Sequence, residues 1–84
     1  MKIRIDERTH EGTAVEILMA FCNENYFHDE FPDMEGYIRY EQATFVQLTG
    51  QPCPLPEKGT TEERARALLH NLAAIDALEV LSDE

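Results

Sequence analysis

Thr13-Ala14-Val15-Glu16-Ile17-Leu18-Met19-Ala20-Phe21-Cys22-Asn23-Glu24-Asn25 is the stretch around which the fold is read. Thr13 followed three residues later by Glu16 is a capping box, in which hydroxyl and carboxylate each satisfy an orphan amide at a helix start. Gly12 lets the chain turn just before it. Ile17 to Cys22 is then apolar without a break. A helix that is apolar on most sides is covered by neighbours on most sides, so the pattern predicts a central strut.

Working outward toward the N-terminus, Lys2-Ile3-Arg4-Ile5 alternates as a half-buried strand does, with Ile3 and Ile5 facing in. Asp6-Glu7-Arg8 makes a turn without the Asn-Gly or Asp-Gly signal of a tight hairpin, and Thr9-His10-Glu11 returns as a second short strand ending at Gly12. In the other direction, Pro32 disfavours helix at Phe31. Asp33 then caps a second helix running to about Thr49, with Gly50 as its left-handed stop. Met34, Ile38, Phe45 and Leu48 share its inner face, flanked by Tyr37 and Tyr40.

Three prolines and a glycine make residues 51–59 a loop. Thr60 with Glu63 is a second capping box. Ala65, Leu68, Leu69, Leu72 and Ile75 follow it at helical spacing until Asp76. Leu78-Glu79-Val80-Leu81 alternates weakly. It reads either as a strand pairing with Lys2–Ile5 or as a continuation of the third helix. The expected architecture is one α+β domain over residues 1–84: three helices on a small antiparallel sheet, built from an N-terminal strand or hairpin and a C-terminal strand.

Eighty-four residues suffice for one small core, and such a chain buries only about 60–65% of its unfolded surface. No apolar run exceeds six residues, far short of the roughly 20 that cross a bilayer, and no signal-type segment follows Met1. A cytoplasmic protein is expected. Seventeen acids against seven bases give a net charge of −10, which disfavours direct contact with nucleic acid or an anionic membrane. The charge favours a basic protein partner instead, although acidic surfaces also serve simply to keep small proteins soluble.

The residues that carry chemistry are scattered. His10, His28, His70, Cys22 and Cys53 fall in none of the close pairs that zinc sites use, so no metal or cofactor is expected. Cys22 reads as core, whereas Pro52-Cys53-Pro54-Leu55-Pro56 favours an extended polyproline-like loop that leaves Cys53 room for exposure, with no base beside it in sequence. The single serine is Ser82, and there is no glycine-rich phosphate loop. A non-enzymatic role is expected.

The strongest functional candidate is the run from Glu24 to Tyr40. Glu24, Asp29, Glu30, Asp33 and Glu35 precede any base, and Tyr26, Phe27, Phe31, Tyr37 and Tyr40 stand among them. Aromatic residues dominate binding hot spots, and charge around them selects the partner. These ten residues are the expected partner-binding surface; the competing expectation is that the rings anchor the loop while the acids face water.

Ile5-Asp6-Glu7-Arg8-Thr9-His10-Glu11-Gly12-Thr13 leading into Glu16-Ile17 forms one recognisable pattern. Tyr37-Ile38-Arg39, Leu48-Thr49-Gly50 and Glu62-Glu63-Arg64-Ala65-Arg66-Ala67-Leu68-Leu69 form another. Over most of its length the chain resembles short uncharacterised acidic proteins of bacterial and prophage genomes. That resemblance carries no activity and no site residues. It implies a setting in which small acidic inhibitors are common, anti-CRISPR-type proteins among them. The expectation is an acidic module that binds a basic surface of a nucleic-acid-handling protein; the alternative is a structural homodimer.

Overall fold

The computed structural model describes residues 1–24 and 33–83, with residues 22–24 by their backbone. Chain order is β1 (Lys2–Ile5), β2 (Arg8–Glu11), α1 (Ala14–Glu24), α2 (Met34–Thr49), α3 (Thr61–Ala74) and β3 (Glu79–Ser82). The strands form one antiparallel sheet in the order β2-β1-β3, so the C-terminal segment is a strand and not an extension of α3. This is the α+β architecture expected from the pattern.

Register follows from which side chains need burial. Ile3 is fully buried and lies opposite both His10 and Val80, whereas Arg4 faces outward between Thr9 and Glu79 and pairs with the Glu79 carboxylate. Between Lys2 and Ile3 the pairing with β3 skips a residue, leaving Leu81 unmatched and 42% exposed. The β1–β2 connection is a tight two-residue turn after all, since Ile5 pairs with Arg8. Asp6 takes the left-handed conformation there, φ 55°. Aspartate tolerates that region better than most residues because its side chain can bond locally.

The hub is α3, not α1 as the apolar run suggests. α3 packs on α1, α2 and β3, and its Ala65, Leu68 and Leu69 are fully buried. α1 contributes Ala14, Ile17 and Leu18 to the core, but Met19 is 50% exposed, so neighbours leave one side of it open. α2 buries Tyr37, Ile38 and Phe45. Tyr37 is therefore core and not flank. Leu48, aligned with the inner face, is 80% exposed because the last turn of α2 runs past the edge of the core.

Both predicted helix stops hold. Gly50 is left-handed and its amide bonds Val46 O at 2.9 Å. α3 ends in a Schellman arrangement with Asp76 (φ 60°) in the place glycine usually takes: Ala77 N bonds Leu72 O at 3.0 Å and Asp76 N bonds Ala73 O at 3.1 Å.

The proline-rich loop is stitched down rather than free. Gln42 Nε2 donates to Cys53 O and Asn71 Nδ2 to Pro54 O, each at 2.8 Å. Cys53 is consequently buried, not exposed as an extended loop would allow, and burial pushes its pKa up.

Candidate functional site

Glu24 lies in the last turn of α1, while Tyr26, Phe27, Asp29, Glu30 and Phe31 of the expected binding segment lie outside the described residues. The four that remain are placed by α2, and each is placed differently. Asp33 is exposed and caps the helix, Oδ1 accepting from Gly36 N at 2.9 Å. Glu35 is half-buried and accepts from Arg64 Nε at 3.0 and 3.1 Å and from Thr61 Oγ1 at 2.7 Å. Those partners, Arg64 first, hold its carboxyl below the usual range. Tyr37 is buried, with Tyr40 stacked on it at 6.5 Å between ring centroids. Tyr40 itself is 44% exposed. Asp33 and Tyr40 are thus the members that reach the surface; Glu35 and Tyr37 are engaged inside the fold.

Glu35 belongs to a junction at the first turn of α3. The Glu62 carboxylate there reaches across to α1, taking Ala14 N at 2.9 Å on one oxygen and Val15 N at 3.0 Å on the other. Thr13 Oγ1 takes Glu16 N, and Glu16 Oε1 returns to Thr13 N, both at 3.1 Å. The expected capping box is present, and Glu62 completes it. The amides of the first three residues of α1 are satisfied between two side chains. Thr60 Oγ1 caps α3 in the same way, accepting from Glu63 N at 3.1 Å. Five acids (Glu16, Asp33, Glu35, Glu62 and Glu63) sit at the positive poles of three helices, where they are stabilising.

The opposite end of α3 has the opposite character. No base stands in the last turn of α3, so its negative pole is uncompensated there. Asp6, Asp76 and Glu79 come together on one open groove beside that pole, together with Arg4 and His70. Arg4 is already engaged by Glu79, and His70 bonds Asp83 at 2.8 Å. Sequence spacing could not assemble this group, because Asp6 and Asp76 meet only when β3 closes on β1. The one legible signal was the absence of bases at the helix ends.

Next to the groove, and sharing Asp6 with it, lies a cavity of about 460 Å³ between the β1–β2 hairpin, Phe21 of α1, Glu41 of α2 and the end of α3. The Glu41 carboxyl borders this space and accepts a hydrogen bond from Tyr37. Burial is the larger influence and pushes its pKa up. His10, opposite Ile3 on the same inner face of the hairpin, packs edge-on against Phe21 at 5.2 Å. Its Nε2 is buried without a hydrogen-bond partner among the described residues. Among the described residues no group of three histidines, cysteines or acids is placed to hold a metal ion, and no helix is long and apolar enough to cross a membrane.

No protein-family model matches the chain, and neither a curated protein nor a solved structure shows significant similarity to it.

Proposed function

We propose that this protein is a non-enzymatic acidic binding module of the cytoplasm that occupies a basic surface of a nucleic-acid-handling protein, as an inhibitor of phage type in the anti-CRISPR or nucleic-acid-mimic class. The supporting observation is the negative end of α3. There Asp6, Asp76 and Glu79 reinforce a helix pole of their own sign, with Arg4 already engaged by Glu79. Like charges gathered beside a pole of their own sign weaken a fold, and such a cluster suits a partner that carries positive charge. Asp33 and the exposed ring of Tyr40 add a second contact region from the Glu24–Tyr40 segment.

Carboxylates that stand in for phosphates compete with the polymer and feel salt as the polymer does. The immobilised protein, challenged with nuclease-treated bacterial lysate, should retain basic nucleic-acid-handling proteins. They should be released by competing duplex DNA and by about 1 M salt, where the screening length is about 3 Å. Reversing Asp6, Asp76 and Glu79 to Lys, or Asp29, Glu30 and Asp33 to Lys, should each reduce capture. Retention that ignores salt, DNA and both reversals defeats the reading.

A second reading has its own observation. Leu48 is 80% exposed on the last turn of α2 and Tyr40, about 80° around the same helix, is 44% exposed, so these two offer apolar surface to a second copy. Sedimentation at micromolar concentration, with Leu48→Lys as the control, decides it: a strict monomer removes the homodimer.

A further inference from the structure

We propose that the cavity between the β1–β2 hairpin and the end of α3 binds a primary alkylammonium group carried on an apolar stem. This rests on the cavity alone and not on the partner reading above. Its volume of about 460 Å³ lies within the range of small-molecule sites, about 300–1,000 Å³. Ile5, Phe21 and Leu72 give it apolar walls contributed by three different elements. Such walls fit a hydrocarbon stem.

The polar groups choose the head. Asp6 and Glu41 bring two carboxyls to the space against the single guanidinium of Arg8. Arg8 already has an interaction of its own. Tyr37 supplies Glu41 with one hydrogen bond, while an ionised carboxylate has room for several more. A carboxylate held among apolar groups with that one donor among the described residues is poorly solvated. An ammonium brings three donors and the compensating charge in one small head. An alcohol of the same shape brings one donor and no charge.

Among the described residues, the titratable and charged groups facing the space are Asp6 and Arg8 from the hairpin and Tyr37 and Glu41 from α2. Since burial lifts the Glu41 carboxyl above its ordinary 4.5, amine binding should fade as pH falls through a midpoint above that value. An alkylammonium itself stays charged throughout, its pKa being about 10.4 in lysine.

The test titrates n-hexylamine and n-hexanol into the whole protein and follows the methyl resonances of Ile5 and Leu72. Hexylamine should shift them saturably, and hexanol should bind at least about tenfold more weakly, the ratio expected when a charge-assisted hydrogen bond is lost. Glu41→Gln should weaken hexylamine by a similar factor, and Ala77→Trp should block the mouth while leaving the carboxyl in place. Nα-acetyl-lysine methylamide separates two sources of the same chemistry. Binding of both amines points to a lysine side chain from another protein, and binding of hexylamine alone points to a free amine. Equal affinity for hexanol and hexylamine overturns the proposal, as does the absence of any saturable shift up to about 10 mM amine. If Glu41→Gln does not fold, the amine–alcohol comparison on the unaltered protein decides by itself.

Discussion

At the start of α3, Glu62 gives each of its oxygens to a backbone amide of α1, while Glu35 holds Arg64 and Thr61. At the other end of the same helix, Asp76, Asp6 and Glu79 share a groove beside its negative pole. Residues of one chemical type are therefore put to two uses about four helical turns apart. At the amino end the acids replace a ligand that three helix poles would otherwise attract; at the carboxyl end they add to a field of their own sign, with Arg4 paired to Glu79. A net charge of −10 is accordingly not one property. Part of it is structural and electrostatically spent, and only the remainder is available to a partner.

The largest expected effect tests the structural half. Glu62→Ala strips the acceptor from two amides at once and leaves both part-buried, which should lower stability by about 2–3 kcal/mol. The denaturation midpoint in urea should fall with an unchanged slope. Glu62→Gln keeps one acceptor oxygen and should lose about half as much. A loss below about 0.5 kcal/mol for Glu62→Ala would mean that the junction does not tie α1 to α3, and the contrast between the two ends would collapse.

Acid titration separates the two halves next. Hydrogen bonds from Thr13 lower the Glu16 carboxyl, and hydrogen bonds from Arg64 and Thr61 lower that of Glu35, both from 4.5. A carboxyl depressed in the folded state stabilises it fully above the unfolded value and loses that contribution as pH drops through the folded one. Stability should therefore fall below about pH 4.5, and Glu35→Gln should flatten part of that fall. Glu41 has the opposite sign. Its raised carboxyl disfavours the folded state above its own pKa and ceases to do so as the pH falls toward 4.5. Glu41→Gln should thus raise stability near pH 7 and leave the acid limb intact, as urea midpoints across the range would record. A Glu41→Gln protein that is less stable at neutral pH would show that its bond from Tyr37 outweighs burial.

What could be read in advance follows the range of each interaction. Caps and stops depend on residues three or four apart, so Thr13 with Glu16, Asp33, Gly50 and Thr60 were visible as letters, whereas Leu78–Leu81 read as strand or as helix and only its pairing with β1 decides. Glu62 on α1 and Arg64 on Glu35 join residues 47 and 29 positions apart or more, and no local pattern encodes them. The apolar run of α1 misled for a related reason: it reports how much hydrocarbon a helix carries, not how many neighbours meet it, and that is decided by where α3 lies. Asp6 and Asp76 both adopt left-handed turns where the rules look for glycine: the reversals themselves were legible, as a turn after Ile5 and a helix stop at Asp76, but their backbone conformation was not. Those same two aspartates form the acidic groove. For the binding segment, the pattern located acids and rings but could not say that Tyr37 would turn inward and Tyr40 outward, since they are only three residues apart on one helix.

The smallest effect gives the sharpest form of the contrast, because it compares two substitutions alike in everything except place. Glu7 and Glu63 are both exposed, and replacing either by Lys changes the charge by the same amount. Glu63 stands in the first turn of α3 near the Thr60 cap, so a lysine there puts positive charge on a positive pole and should cost about 1 kcal/mol. Glu7 stands at the hairpin tip beside Asp6, which lines the acidic groove. A lysine there relieves repulsion and should change stability by no more than about 0.5 kcal/mol, in the favourable direction. Raising the salt should shrink the difference between the two variants, since both sites are open to screening. If Glu7→Lys and Glu63→Lys cost the same at low salt, helix polarity does not govern what an acid does here, and the groove at the end of α3 has no claim over any other exposed carboxylate.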